Sequence, residues 1–222
     1  MSVLRKIPAW VWVAGGVTAA VFAFGRRQNQ TKCMGGPMSL PKVLWLNYTL
    51  VSWFVIPATL LRRQGLAPGT RAALQAHLLS FTVRGAAELW LLYRMHAWKV
   101  AYGVGHDAVD FALISALLRR TPHGEGADGV ARRHLDSIRG TLLAEMLFAS
   151  LFHRAVAGKT QGEDGIFFAS DEPQFRRINA LTAAVDVVAY ARLAMVARDL
   201  VRMDQKVETA ENAIGGQAVY QM

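Results

Sequence analysis

Cysteine is almost missing from this chain: Cys33 stands alone among 222 residues. A single thiol excludes an intrachain disulfide, a CxxC zinc knuckle and a CxxCH haem attachment. It also lacks the small apolar run that would precede a lipidated cysteine. Charge is sparse too, at 18% of residues against 53% apolar, which is greasier than an average water-exposed domain. Strand-like alternation is hard to find anywhere. Glycine-rich phosphate loops and nucleophile elbows are missing, as is the Glu-x-x-His pair of di-metal helical bundles. The residue types of nucleophilic and phosphate chemistry are therefore not assembled in any motif.

What is present is a set of long apolar runs at helical spacing. Ile7 to Gly25 is uncharged for 19 residues and is followed by Arg26 and Arg27. About 20 apolar residues with basic and aromatic flanks suit a retained membrane anchor. The competing reading is a signal peptide, for which Val21-Phe22-Ala23 is an acceptable cleavage site; the flanks favour the anchor. The net charge of +9 raises the question of nucleic acid. Lys and Arg sit at helix ends rather than along one face, which fits lipid headgroups better than a polyanion groove. No nucleic-acid partner is expected.

The chain then divides into segments. Residues 1–27 form the anchor and 28–42 a linker containing Gly35, Gly36, Pro37 and Pro41. Residues 43–206 form a helical bundle, with helices expected near 43–62, 71–96, 99–120, 131–158 and 174–206. Pro57 predicts a kink in the first of these. Asp171, Pro173 and Gln174 mark the start of the last, whose Asn179, Thr182, Asp186 and Tyr190 share a face. Phe167 and Phe168, in the loop before it, suit a membrane interface or a partner surface. Residues 207–222 read as a loose tail. The fold class is all-α: a polytopic membrane helical bundle of about six helices with an N-terminal single-helix anchor. Lys and Arg divide 13 against 10 between alternating connections, with Arg84 and Arg192 left inside helices. Charge sorting is therefore weak.

The segment Arg71–Arg120 is a hairpin about Ala97, and it carries the polar residues of greatest interest. His77, Ser80, Arg84 and Glu88 share one helical face; Lys99, Tyr102, His106 and Asp110 share another. Glu88 and His106 lie equally far from the turn, as do Arg84 and Asp110. Equal distance means equal depth, so the pairs Arg84–Asp110 and Glu88–His106 are expected inside the bundle. Charges at membrane depth are costly and need such partners.

Three further sites follow from residue type. His106 lies in GVGHD, where Gly103 and Gly105 leave room for a haem or chlorophyll-type tetrapyrrole, or for close approach of a partner helix. Glu145 and Asp186 fall at similar depth in the last hairpin and could hold a metal. Arg62, Arg63, Arg119, Arg120, Arg132 and Arg133 lie at helix ends, where anionic lipid headgroups would collect.

The expected function is an accessory or structural subunit of a larger membrane complex, in a bacterial inner membrane or an organellar membrane. Its partners would be other membrane subunits and anionic lipid, with no cofactor. The alternative is a membrane-embedded redox or metal enzyme using His106 and the buried carboxylates. A third reading is one anchor carrying a peripheral helical domain.

Overall fold

The computed structural model describes residues 7–31, 40–92, 99–156 and 173–219. The described residues are helical apart from short connections: α1 (Ala9–Thr31), α2 (Leu40–Leu50), a π-turn (Val51–Val55), α3 (Ile56–Leu61), α4 (Pro68–Leu92), α5 (Lys99–Arg120), α6 (Gly126–Val156) and α7 (Pro173–Val219). The chain is all-α, as the 3.6-residue periodicity of its apolar runs implies. Among the described residues, no helix is long and apolar enough to cross a membrane. The spanning part of the expectation thus gains no support from any single helix.

Backbone angles stay helical from Leu50 through Ile56, so α2, the π-turn and α3 form one rod. Pro57 explains the turn. Its missing N–H and its ring disturb the bond to the carbonyl four residues back, that of Trp53. The helix answers by widening, and Ile56 N–H reaches back to Val51 O. That i→i+5 step leaves Ser52 O without its usual helical donor.

The rods pack up and down around one apolar cluster. It takes Ile56 and Leu60 from the central rod, Leu74 and Phe81 from α4, Ile114 from α5, Leu135, Ile138 and Leu142 from α6, and Leu200 from α7. The N-terminal helix is continuous but not set apart. Trp10, Ala14 and Val17 lie against the main cluster, while Val21 packs on Val43. Its other face, with Trp12, Val13 and Phe22, is exposed, so α1 flanks the bundle instead of filling its centre.

Several boundaries differ from expectation: α1 runs on to Thr31 and α2 starts at Leu40, both inside the segment read as a linker. The helix assigned to 131–158 begins at Gly126, where Asp128 in the first turn complements the helix dipole. The α4 helix opens on Pro68, the position where a missing N–H costs nothing. Finally, α7 continues to Val219 through the segment read as a tail. Ala, Glu and Gln there are good helix formers, and the helix propagates without an apolar face. Ala97, Phe167 and Phe168 lie outside the described residues.

The ends of the hairpins are fastened. Asp128 accepts the Ala67 N–H at 3.1 Å, at the start of α4. Arg132 donates to Leu118 O at 2.6 Å and to Thr121 O at 2.5 Å, satisfying carbonyls at the end of α5. Gly69 is needed there, because a Cβ would lie 2.5 Å from Arg120 O.

Candidate functional site

Polar side chains are concentrated inside this bundle, at the level of the π-turn and above it, away from the basic end where α4 and α6 begin. They form three groups, joined by aromatic rings.

The first group is built by α4 and α5. Arg84 is 7% exposed, Asp107 4% and Asp110 0%. These values decide the energetics, since each charge has left water and must be neutralised locally. Arg84 Nη2 lies 2.5 Å from Asp107 Oδ1, and Nη1 lies 3.1 Å from Asp110 Oδ2. Ser80 donates to Asp110 Oδ1 at 2.7 Å. The half-buried His106 places Nδ1 3.2 Å from Asp110 Oδ2. The guanidinium also sits 5.2 Å from the Trp53 ring centre and 5.6 Å from that of Phe81, within cation–π range.

The structure thus brings Arg84 and Asp110 together and adds Asp107. Asp107 sits three residues before Asp110 on α5, and the depth argument did not consider it. His106 pairs with Asp110, four residues along its own helix. Glu88 falls on α4, but its side chain lies outside the described residues, as do those of Lys99 and Tyr102.

The second group follows from Pro57. His134, on α6, donates its Nε2 hydrogen to the released Ser52 carbonyl at 2.7 Å; the carbonyl can only accept, so this nitrogen carries the proton. His77, on α4, lies beside the Trp53 carbonyl, yet neither ring nitrogen reaches hydrogen-bond geometry. Both histidines are buried, at 0% and 1% exposure. The His77 ring packs on Phe81 at 4.6 Å and Phe81 on Trp53 at 4.0 Å, which connects this group to Arg84. One proline therefore opens two carbonyls, and two neighbouring helices each aim a histidine at them.

The third group links four helices. Thr141 gives its hydroxyl hydrogen to Ser137 O at 3.0 Å, so Tyr48 is the donor in its 3.0 Å bond to Thr141. Tyr190 donates to Leu44 O at 2.5 Å and Asn47 Oδ1 at 2.9 Å. Asn47 Nδ2 then donates to Thr18 at 2.8 Å, and Thr18 to Ala14 O at 2.9 Å. This relay ties α7 to α2 and α2 to α1. The Tyr48 and Tyr190 rings lie 5.8 Å apart.

Glu145 and Asp186 flank these tyrosines. Contacts of Arg133 with Asp199 and of Gly140 with Arg192 set the α6–α7 register. That register puts Glu145 and Asp186 level with each other. Asp186 is buried with Oδ2 unbonded. No cluster of three or more His, Cys, Asp or Glu that could hold a metal ion occurs among the described residues.

For the tetrapyrrole reading, a carboxylate partner such as Asp110 is what orients a metal-ligating imidazole. A Cβ on Gly105 would meet nothing within 4 Å. Its smallness therefore serves no close helix approach among the described residues. Gly103 lies outside the described side chains.

The arginines at helix ends have divided roles. Arg62, Arg119 and Arg120 are exposed. Arg63 pairs with Asp204, and Arg133 with Asp199 at 3.0 Å. Arg132 is occupied by carbonyls of the α5–α6 corner.

Sequence reading missed His134, Ser52, Tyr48, Thr141 and Asn47. The available signal was Pro57: a proline late in an apolar helix implies an unbonded carbonyl, and a donor such as His134 must be sought for it. Comparison of the chain with protein-family models, curated proteins and solved structures finds no match.

Proposed function

We propose that this chain is a bilayer-embedded helical bundle acting as an accessory or structural subunit of a larger membrane assembly. One observation carries the reading: charged and polar side chains are buried beside the apolar core while large apolar ones face outward. Arg84, Asp107, Asp110, His77, His134 and Asp186 are inside, whereas Leu79, Val83, Val109, Leu147, Val187 and Val188 are exposed. Exposed apolar residues scattered singly mean little, but contiguous ones do. From Ala72 to Ala87, α4 presents no charged side chain outward, a length of about 24 Å against a hydrocarbon core of about 30 Å. Beside it, α5 does the same from Gly105 to Leu118.

The reading does not rest on any single helix. Mean hydropathy counts Arg84 and Asp110 against α4 and α5, yet lipid would meet only their outer faces. The basic end, with Arg62, Arg63, Arg71, Arg119 and Arg120, suits the anionic leaflet and a cytoplasmic or equivalent side. The subunit role draws on the same surface. Apolar side chains project from α4, α5, α6 and α7, on more than one side of the bundle, so neighbouring subunits as well as lipid can cover them.

Site-directed spin labelling tests this. With Cys33→Ser as background, labels at Leu79, Val83 and Val109 in reconstituted vesicles should be accessible to oxygen and shielded from a water-borne nickel chelate. Labels equally accessible to the chelate would refute the bilayer placement.

A second reading has one specific observation in its favour, the His106–Asp110 pair beside the open face at Gly105. In that reading His106 ligates a tetrapyrrole within the membrane. The purified protein would then show a visible absorption band that His106→Ala removes, and a colourless preparation that stays apo when offered haem would rule it out.

A further inference from the structure

Two surface cavities lie beside the first half of α6. One, of about 370 Å³, is lined by His123, Arg132, Arg133, Asp136 and Arg139. The other, of about 170 Å³, is lined by Arg133, Asp136, Ser137, Arg192, Met195 and Asp199. They share Arg133 and Asp136, so they adjoin along α6 as one shallow trough, the first part facing the α5–α6 corner and the second opening between α6 and α7. Four arginines face it against two aspartates. Asp199 is taken by Arg133, and Asp136 by Arg139 at 2.5 Å. Arg132 is engaged only with neutral carbonyls. Arg192 makes no hydrogen bond or ion pair among the described residues, and its guanidinium lies across Gly140, where a Cβ would stand 2.5 Å from Nη1. The trough therefore holds cationic charge that its own carboxylates do not balance.

The walls change character away from the basic end. On α6 the ridge Arg132–Asp136–Arg139 continues as Leu143 and Leu147, at steps of three and four that keep one face. On α7, which runs antiparallel, the ridge Asp199–Met195–Arg192 continues as Val188. Leu143, Leu147, Val188 and Met195 are all exposed. Cations at one level and apolar side chains one to two turns above make a surface for an amphiphile with an anionic head.

We infer that this trough is a site for one anionic phospholipid, its phosphate among Arg132, Arg139 and Arg192 and an acyl chain along Leu143, Leu147 and Val188. A charge-assisted, forked contact from guanidinium to phosphate is the chemistry arginine does best. The site deepens the bilayer reading and rests on it. It is narrower than general attraction of headgroups to helix ends, since Arg119 and Arg120 take no part.

The test uses the full chain purified in mild detergent. It is loaded with phosphatidylglycerol or with phosphatidylcholine of the same acyl chains, washed, and weighed by native mass spectrometry. About one phosphatidylglycerol per chain should be retained, with the choline lipid lost. Arg192→Gln with Arg139→Gln should weaken retention about tenfold, equivalent to about 1.4 kcal/mol. Arg119→Gln with Arg120→Gln should leave it unchanged. Equal retention of both lipids, or no loss in the Arg139/Arg192 variant, overturns the site. Displacement by inorganic phosphate alone reassigns the trough to a water-borne anion and overturns the lipid assignment. Flotation with vesicles separates the two levels. A chain that floats but shows no preference loses only this site, whereas a chain that does not float loses the bilayer reading as well.

Discussion

Replacing Arg84 by methionine removes the one guanidinium that two buried carboxylates share. Asp107 and Asp110 are 4% and 0% exposed, so neither can recover solvation by turning outward. Breaking a buried ion pair by removing one partner typically costs about 3–5 kcal/mol. Arg84→Met takes the counter-charge from two buried acids at once and belongs at or above the top of that range. Asp110 keeps its hydrogen bond from Ser80 and its contact with His106.

The opposite change is milder. Asp110→Asn leaves Arg84 paired with Asp107 and should cost about 1–3 kcal/mol, the range for an impaired buried hydrogen-bond group. A chain of this length loses roughly 2–4 °C of melting temperature per kcal/mol. Arg84→Met should therefore fall on the order of 10–20 °C in a detergent melt followed by circular dichroism, and Asp110→Asn only a few degrees. The decisive comparison is between rescues. Adding Asp110→Leu to Arg84→Met still leaves Asp107 without the guanidinium and should restore little. Adding Asp107→Leu as well should restore most of the loss, since apolar replacement of a whole buried ion group is often neutral. A double variant as stable as the triple, or losses that simply add, would show that Asp107 bears no part of the guanidinium charge.

Other consequences follow from the same contacts. His134→Leu leaves the Ser52 carbonyl without its donor and should cost about 1–3 kcal/mol in the same melt; in a Pro57→Ala background, where the α-helical ladder can close, the cost should shrink. An equal cost in both backgrounds would disconnect the histidine from the π-turn. Gly69→Ala and Gly129→Ala drive a methyl into the backbone carbonyls of Arg120 and Gly124 and should each destabilise by about 1–3 kcal/mol. Gly105→Ala, which meets open space, should be neutral or stabilise by up to about 1 kcal/mol. Tyr190→Phe removes the donor that opens the relay to Asn47 and Thr18. It should cost about 1 kcal/mol and raise hydrogen exchange in α1, whereas unchanged exchange there would mean the relay does not hold α1.

Helicity was legible because apolar runs at 3.6-residue spacing, with almost no alternation, admit little else. Equal distance from the turn is a property of the chain, and it singled out Arg84 and Asp110, whose groups lie 3.1 Å apart. That counting treats each helix as one row of residues, so it overlooks a neighbour on the same helix. Asp107 and the His106–Asp110 contact both escaped for this reason. The third group was harder still. Tyr48, Thr141 and Tyr190 meet through the packing of helices far apart in sequence, and no local pattern announces that. Pro57 was seen, but the π-turn before it was not, because the donor that rewards widening, His134, sits 82 positions from Ser52. The extent of α7 was missed because a helix without an apolar stripe looks like a tail.

That last helix outruns the bundle. Asp204 accepts the Trp10 indole hydrogen and pairs with Arg63, and from Gln205 to Glu211 the side chains of α7 are exposed. The remaining residues to Val219 extend about 22 Å at 1.5 Å per residue. Geometry makes this overhang a pointer. A tilt of about 5° pivoting at Asp204 moves its tip sideways by about 2 Å, so a small repacking of Trp10 and Arg63 at the basic end is magnified into displacement at the far end of the helix.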